Sequence, residues 1–155
     1  MKLTKDKHYI NSLYYEIEQT AKYCKYLGTQ IFNKLSISLS LDEFATLDTI
    51  SIYGKICQRD LAKLILKDRP STGRILNSLE EKGYITRFAD TKNNRLVRKT
   101  SLTKDGAKIL EKVTKILREY FNNLPEYLSQ KDIESLSESI QIFRKGLEKE
   151  VEFNI

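Results

Sequence analysis

The middle of this chain carries two short helical patterns in direct succession, and this succession most constrains its fold. The first helix is predicted over 58–66 and the second over 69–82, with Asp68 placed to cap the second. Pro70 is compatible with the second helix because the N–H groups of a first turn have no partner within the helix. Gly83 is typical of a helix end. The pattern therefore predicts a helix-turn-helix at the centre of the chain.

The segment that follows has the composition of a β-hairpin. The runs Tyr84–Phe88 and Leu96–Leu102 are rich in β-branched and aromatic residues, which favour strands. Between them, Asp90–Asn94 contains residues that form turns. We therefore predict an antiparallel pair of strands directly after the helix-turn-helix.

Amphipathic helices are predicted on both sides of this central region. The longest spans Asp6–Leu35, where apolar or small residues recur at steps of three and four. Ser40 and Glu43 form a capping-box pair at the start of another helix. Thr103 and Ser129 are placed to begin the last two helices. The expected fold is thus mainly α with a small β-hairpin.

The first of these helices is predicted to be too long for its own domain. Thirty helical residues span about 45 Å, whereas a compact domain of 155 residues is about 40 Å across. Either Gly28 breaks the helix, or a second chain covers the surplus of its apolar stripe. We favour the second interpretation.

The positive charge of the chain is concentrated in the central region. Residues 55–100 carry twelve Lys or Arg and five Asp or Glu, whereas the other 109 residues carry fifteen and sixteen. Because each phosphate neutralised on a polyanion releases counterions, a nucleic acid favours cations gathered in one place. We interpret the region as a surface for double-stranded DNA, and the alternative is a basic face that is merely solvated.

Other classes of function find little support in the residues. With one His and no paired carboxylates, we expect no catalytic site, no cofactor and no metal. No stretch approaches 18 apolar residues and no signal-peptide core follows the N-terminus, so we expect neither membrane insertion nor export. Two cysteines are too few for a disulfide scaffold, which favours the reducing cytoplasm.

Four motifs in this order resemble the MarR family of bacterial transcriptional regulators. They are Gln58–Ala62, Asp68–Thr72, Leu79–Ile85 and Leu102–Gly106. The resemblance covers residues 41–110 by motif and the remainder by helix arrangement alone. It implies a winged helix-turn-helix in a homodimer, with the recognition helix in the major groove and the hairpin, or wing, in the minor groove.

The resemblance also implies an organisation and a role. The organisation is an N-terminal dimerisation helix (1–38), a DNA-binding region (39–106) and C-terminal dimerisation helices (107–155), all in one structural domain. The role is that of a sequence-specific regulator, most often a repressor, which binds an inverted-repeat operator and is released by a small aromatic ligand or by oxidation. The alternative is an architectural DNA-binding protein with little sequence preference.

The wing departs from the family at one motif. The family places Asp-x-Arg six residues before the Leu-Thr pair, and its Arg enters the minor groove. Here those positions hold Asn94, Arg95 and Leu96. Either Arg95 or Arg98 replaces the missing arginine. We favour Arg95 because it lies near the hairpin tip, although a shift of one residue turns a side chain to the opposite face unless the strand bulges.

The predicted recognition helix turns Ile75, Leu76 and Leu79 inward. Among its outward residues, Arg74 and Asn77 have side chains suited to guanine and adenine edges. Residues near its N-terminus are expected to bind phosphate. The full set of predicted DNA-binding residues is Lys63, Arg69, Ser71, Thr72, Arg74, Asn77, Ser78, Arg87, Lys92, Asn94, Arg95 and Arg98.

Three further features of the sequence leave alternatives open. Cys24 lies on the apolar stripe of the first helix, where a buried, inert thiol is expected, although the family resemblance also permits redox sensing there or at Cys57. The tyrosines of the first helix suit dimer packing or the walls of a ligand pocket. Gly73 is explained either by close approach to DNA or by simple tolerance.

Overall fold

Helices dominate the structure, a computed structural model that describes residues 8–123 and 127–153. It divides into two compact units, 1–45 and 46–155. A 3₁₀ turn at Tyr9–Asn11 precedes the first helix. The helices are α1 (Leu13–Lys34), α2 (Leu41–Tyr53), α3 (Gln58–Leu64), α4 (Arg69–Glu81), α5 (Lys104–Asn122) and α6 (Gln130–Glu150), and the strands are β1 (Ile56–Cys57), β2 (Ile85–Lys92) and β3 (Arg95–Leu102). The predicted fold class is confirmed.

Helix α1 is shorter than predicted. The side chain of Ser12 accepts a hydrogen bond from the backbone N–H of Tyr15, and this cap begins the helix at Leu13. Its 22 residues span about 33 Å, so the predicted length was wrong, and residues 6 and 7 lie outside the described part. Gly28 does not break the helix. A Cβ at Gly28 would lie 2.9 Å from a methyl carbon of Leu41, so this glycine allows close packing.

The other predicted helix starts are confirmed by their caps. The N–H of Glu43 donates to Ser40 Oγ at 3.1 Å, and the Glu43 carboxylate accepts from the Ser40 N–H at 2.8 Å. Ser129 begins α6 in a capping box with Asp132. Helix α5 ends at Asn122, and residues 124–126 lie outside the described residues. No helix in the described ranges is long and apolar enough to cross a membrane.

A three-stranded antiparallel sheet, in the order β1-β3-β2, lies in the second unit. Strand β1, which contains Cys57, was not predicted. Its two residues are too few to show a period, and they are in a strand because Ile56 pairs with Thr100 of β3. Pairing across more than forty residues leaves no mark on the local sequence.

The wing is a tighter hairpin than predicted. Its ladder runs from the Ile85–Leu102 pair to the Lys92–Arg95 pair. The turn consists only of Asn93 and Asn94, both with positive φ (51° and 59°). Asparagine tolerates this conformation, and two such residues in succession form the turn that matches the twist of a hairpin. The predicted five-residue turn was therefore wrong, because the strand pairing continues through Lys92.

The core of the second unit lies where the helix-turn-helix meets the sheet. Leu61 of α3, Leu76 and Leu79 of α4, and Ile85 of β2 are almost completely buried. Each such side chain contributes about 1.5–3 kcal/mol by burial. The core thus fixes α4 relative to the wing, and it leaves the opposite side of α4 exposed.

Candidate nucleic-acid interface

The N-terminus of α4 carries a chain of three linked side chains. Asp68 caps the helix by accepting the Ser71 backbone N–H at 2.7 Å and the Ser71 hydroxyl at 3.0 Å. These bonds lower the pKa of Asp68, and the bond from the backbone N–H has the largest effect. Arg74 Nη2 in turn donates to Ser71 Oγ at 2.9 Å. The helix cap therefore helps to orient the exposed Arg74 guanidinium.

Thr72 does not belong to the exposed face, contrary to the prediction. It is fully buried, and its hydroxyl donates to the Asp68 carbonyl at 2.8 Å. Thr72, Leu76 and Leu79 step by four and three, which places all three on the inward side of the helix. That spacing was visible in the sequence, but a hydroxyl at the position suggested phosphate binding instead.

Arg87, which is in the predicted DNA-binding set, instead joins the wing to α4. Its Nε and Nη2 donate to Glu80 Oε2 at 2.8 and 2.5 Å, and Nη2 also donates to Asn77 Oδ1 at 2.7 Å. The Arg87 side chain is only 14% exposed. Its hydrogen bonds lower the pKa of the Glu80 carboxyl. Asn77 is exposed and retains its amide N–H groups as donors.

The two candidate wing arginines lie on opposite faces of the hairpin. Arg95 pairs with Lys92, whereas Arg98 pairs with Ala89, and successive side chains of a strand alternate between faces. Arg98 therefore shares its face with Leu96, which occupies the position of the family's arginine. Leu96 is 79% exposed. Our preference for Arg95 rested on a free loop geometry, but the ladder includes Arg95 and leaves no bulge there.

A groove of about 540 Å³ separates α3 from the wing. Of the described residues that line it, four are cationic and Asp60 alone is acidic; the lining is Cys57, Arg59, Asp60, Lys63, Lys92, Asn93, Arg95 and Val97. Lys92 forms an ion pair with Asp60, and the Cys57 thiol donates to the same carboxylate at 3.1 Å. The bonds from Lys92 and then Cys57 lower the pKa of Asp60.

Two more cations, Lys99 of the wing and Lys55 just before β1, have contacts within the protein. Lys99 forms an ion pair with Asp90 at 2.9 Å, and the Lys55 ammonium lies 5.7 Å from the centre of the Phe88 ring. The remaining predicted residues are accessible: Lys63, Arg69 and Asn94 are exposed, and Ser78 is half-buried. Except for Thr72 and Arg87, the predicted set thus lies on α3, on the outer side of α4 or on the wing.

Gly73 lies beside α3, a contact that the sequence did not suggest. A Cβ on Gly73 would lie 3.4 Å from Nε2 of Gln58, whose side-chain amide reaches toward the Arg69 carbonyl. Gly73 therefore lies where the two helices of the helix-turn-helix approach each other. A contact of 3.4 Å with the flexible end of a side chain is ordinary van der Waals contact, so packing within the chain does not require glycine at this position.

The cysteines differ from expectation. Cys24, which we expected to be buried, is exposed in the chain, because the apolar stripe of α1 is largely uncovered around it. Cys57 is buried. Among the described residues, no group of three or more His, Cys, Asp or Glu is arranged to hold a metal ion.

Comparisons with known proteins agree with this architecture. Residues 39–97 match the model of the MarR family. The transcriptional regulator SlyA shares 23% identity over 89% of this chain and 95% of its own, with a TM-score of 0.75. MepR of S. aureus in a DNA complex shares 22% identity over 90% and 99%, with a TM-score of 0.71. A mutant MarR from E. coli, complexed with operator DNA, shares 21% identity over 84% and 92%, with a TM-score of 0.73.

Proposed function

We propose that this chain, whose central segment matches the MarR family, is a dimeric transcriptional regulator that binds double-stranded DNA sequence-specifically and acts as a repressor. One observation carries the proposal. The exposed side of α4 presents Arg74 and Asn77 beside a cationic wing. The 13 residues of α4 form a rod about 20 Å long, a size suited to the major groove.

Each part of the surface has a proposed role. Arg74 and Asn77 read base edges, because Arg pairs with guanine and Asn with adenine through two hydrogen bonds. Ser71, Lys63 and Arg69 position the DNA backbone. The residues assigned to the minor groove are Asn94, Arg95 and Arg98. The MepR and mutant MarR structures, both of complexes with DNA, support the same use of this fold.

The proposed dimer rests on uncovered apolar side chains. Leu136, Ile140 and Leu147 of α6 are each more than a third exposed in the single chain, and they step along one helical stripe. Tyr23 and Tyr26 of α1 are largely exposed as well. A second copy that covers these stripes would place two recognition helices on one duplex.

We propose that a signal releases the protein from DNA, either a small aromatic ligand or oxidation. The exposure of Cys24 favours oxidation there over oxidation at the buried Cys57. A peroxide titration of DNA binding by wild type and Cys24→Ser tests whether oxidation acts through Cys24. Equal responses would exclude sensing by Cys24.

The decisive experiment is genome-wide mapping of bound sites, followed by affinity measurements on the recovered sequence. We expect an inverted repeat whose half-site centres are about 10 base pairs apart. We also expect the operator to bind at least about 1,000-fold more tightly than random DNA at the same salt concentration. Equal affinity for both would instead support an architectural protein.

A further inference from the structure

The contact between Lys92 and Asp60 joins two elements that are 32 residues apart in the chain. Lys92 is the last residue of β2, beside the wing turn, and Asp60 lies in the first turn of α3. The same carboxylate accepts the Cys57 thiol, which anchors it at the junction of β1 and α3. Through Lys92, the end of the wing is therefore tied to the helix-turn-helix.

We propose that Asp60 is a positioning residue that latches the wing to α3 and competes with DNA phosphate for Lys92. This inference rests on the proposed function, since it concerns how the same surface engages DNA. The Asp60 carboxylate is the anion of this latch, and it lies in a groove whose other charged lining residues are Arg59, Lys63, Lys92 and Arg95. A phosphate that enters the groove meets these four cations and exchanges with Asp60 as the partner of Lys92.

The exchange is physically accessible because the pair is only partly covered. The side chains of Lys92 and Asp60 are 43% and 38% exposed. Water and salt therefore screen their attraction, and a phosphate reaches the ammonium without unfolding of the wing. The bond from Lys92 keeps the pKa of Asp60 below its usual value, so the carboxylate remains charged at neutral pH.

A second contact, made by Arg87 on the other face of the wing, is less exposed to solvent than the Lys92–Asp60 pair. The Arg87 side chain, which holds Glu80 and Asn77, is 14% exposed. It ties β2 to the recognition helix in a less accessible place. The base of the wing is thus fixed by Arg87, whereas its tip is held by a contact that DNA is able to replace.

The test measures the affinity of a random-sequence duplex of about 30 base pairs by fluorescence anisotropy, at matched salt concentrations. Asp60→Asn removes the charge and keeps the shape, and we expect it to tighten binding about three- to fivefold. In a Lys92→Gln background, the same substitution is expected to change affinity by less than about 1.5-fold, because the competition no longer exists. Glu81→Gln, which removes an equal charge from the exposed end of α4, is the matched control.

The outcomes separate this inference from the proposed function. An absence of duplex binding by wild type, even in dilute buffer, would overturn both. Three outcomes would contradict the latch alone, provided that wild type binds the duplex. These are a change of affinity by Asp60→Asn that is no larger than the change by Glu81→Gln, an equal change with and without Lys92, and weaker binding by Asp60→Asn.

A second measurement addresses the free protein. If the latch holds the wing tip, Asp60→Asn and Lys92→Gln should each speed amide hydrogen exchange at residues 91–96, and the double variant should add little to either. Exchange in Glu81→Gln should match wild type. Unchanged exchange in both latch variants, with the thermal unfolding midpoint also unchanged, would show that the ion pair does not restrain the tip.

Discussion

Gly106 shows how one residue explains the Leu-Thr-x-x-Gly motif at residues 102–106 in physical terms. The Thr103 hydroxyl accepts the Gly106 N–H at 3.0 Å and donates to the Gly83 carbonyl at 2.6 Å. A Cβ on Gly106 would lie 2.1 Å from the Tyr84 carbonyl oxygen. The threonine of this Leu-Thr-x-x-Gly motif therefore joins the end of α4 to the start of α5, and only glycine leaves room for the backbone between them.

We expect Gly106→Ala to destabilise the fold by about 2 kcal/mol or more, because the obstacle is a backbone atom that cannot rotate away. Urea unfolding at neutral pH measures the change. Gly146→Ala is the matched control, because nothing lies within 4 Å of a Cβ at that position in α6. There the substitution should be neutral or mildly stabilising. Similar losses of stability at both sites would contradict the steric explanation.

Arg74 and Lys92 should differ in what they contribute to DNA binding. Arg74→Ala is expected to reduce the discrimination between operator and random DNA by about 1–3 kcal/mol, because it removes a base-reading side chain. Lys92→Ala should weaken binding to all sequences and flatten the salt dependence by up to about one unit. Titrations of both DNAs at several salt concentrations distinguish these effects. Identical behaviour of the two variants would refute the division of roles.

At the scale of the elements, the contact of Arg87 in β2 with Glu80 and Asn77 in α4 is expected to stabilise the fold. We expect Arg87→Ala to destabilise the fold by about 1 kcal/mol, since it removes charged hydrogen bonds that are partly screened by solvent. Arg98→Ala, an exposed change on the same face of the wing, is the control and should leave stability unchanged. Chemical denaturation of both variants provides the measurement. An Arg87→Ala protein as stable as wild type would show that this contact contributes nothing.

The helix caps predict how stability depends on pH. The folded state lowers the pKa of Asp68 and Asp132, mainly through their bonds to Ser71 and Ser129, and that of Glu80 through Arg87. A lowered pKa stabilises the fold above the unfolded value near 4, and this contribution is lost as pH falls through the folded value. The urea midpoint should therefore be lower at about pH 3 than at about pH 7. Asp68→Asn should show a smaller decrease, and equal midpoints at both pH values in wild type would contradict this account.

At the scale of the whole molecule, the apolar stripes of α1 and α6 predict a stable dimer. Sedimentation equilibrium should give twice the 18.1 kDa of the chain. A charged residue at Ile140, as in Ile140→Glu, should shift the equilibrium toward monomer, because it is placed on the uncovered stripe of α6. Lys145→Glu on the same helix provides a control for the charge change. A wild-type protein that is monomeric at micromolar concentration would contradict the proposed dimer with two DNA-binding surfaces.

Local chemistry was sufficient to predict the six helices, the two strands of the wing and their order, but not β1. Periodic apolar residues and capping side chains act within a few positions of each other, and the starts of α2, α4, α5 and α6 were predicted within one or two residues. The positive charge of the central region is also evident from the residue composition alone. The length of α1 was wrong because a single cap, at Ser12, outweighed the continuing apolar pattern.

What the sequence by itself determined was thus the winged helix-turn-helix, its flanking helices and the location of its cations. The tertiary structure alone decided which of those side chains face outward. Arg87 is held by Glu80, Lys92 is held by Asp60, and β1 exists through pairing with β3. The physical reason is that a side chain's partner is selected by packing between elements, and that choice leaves no periodic trace in the residues nearby.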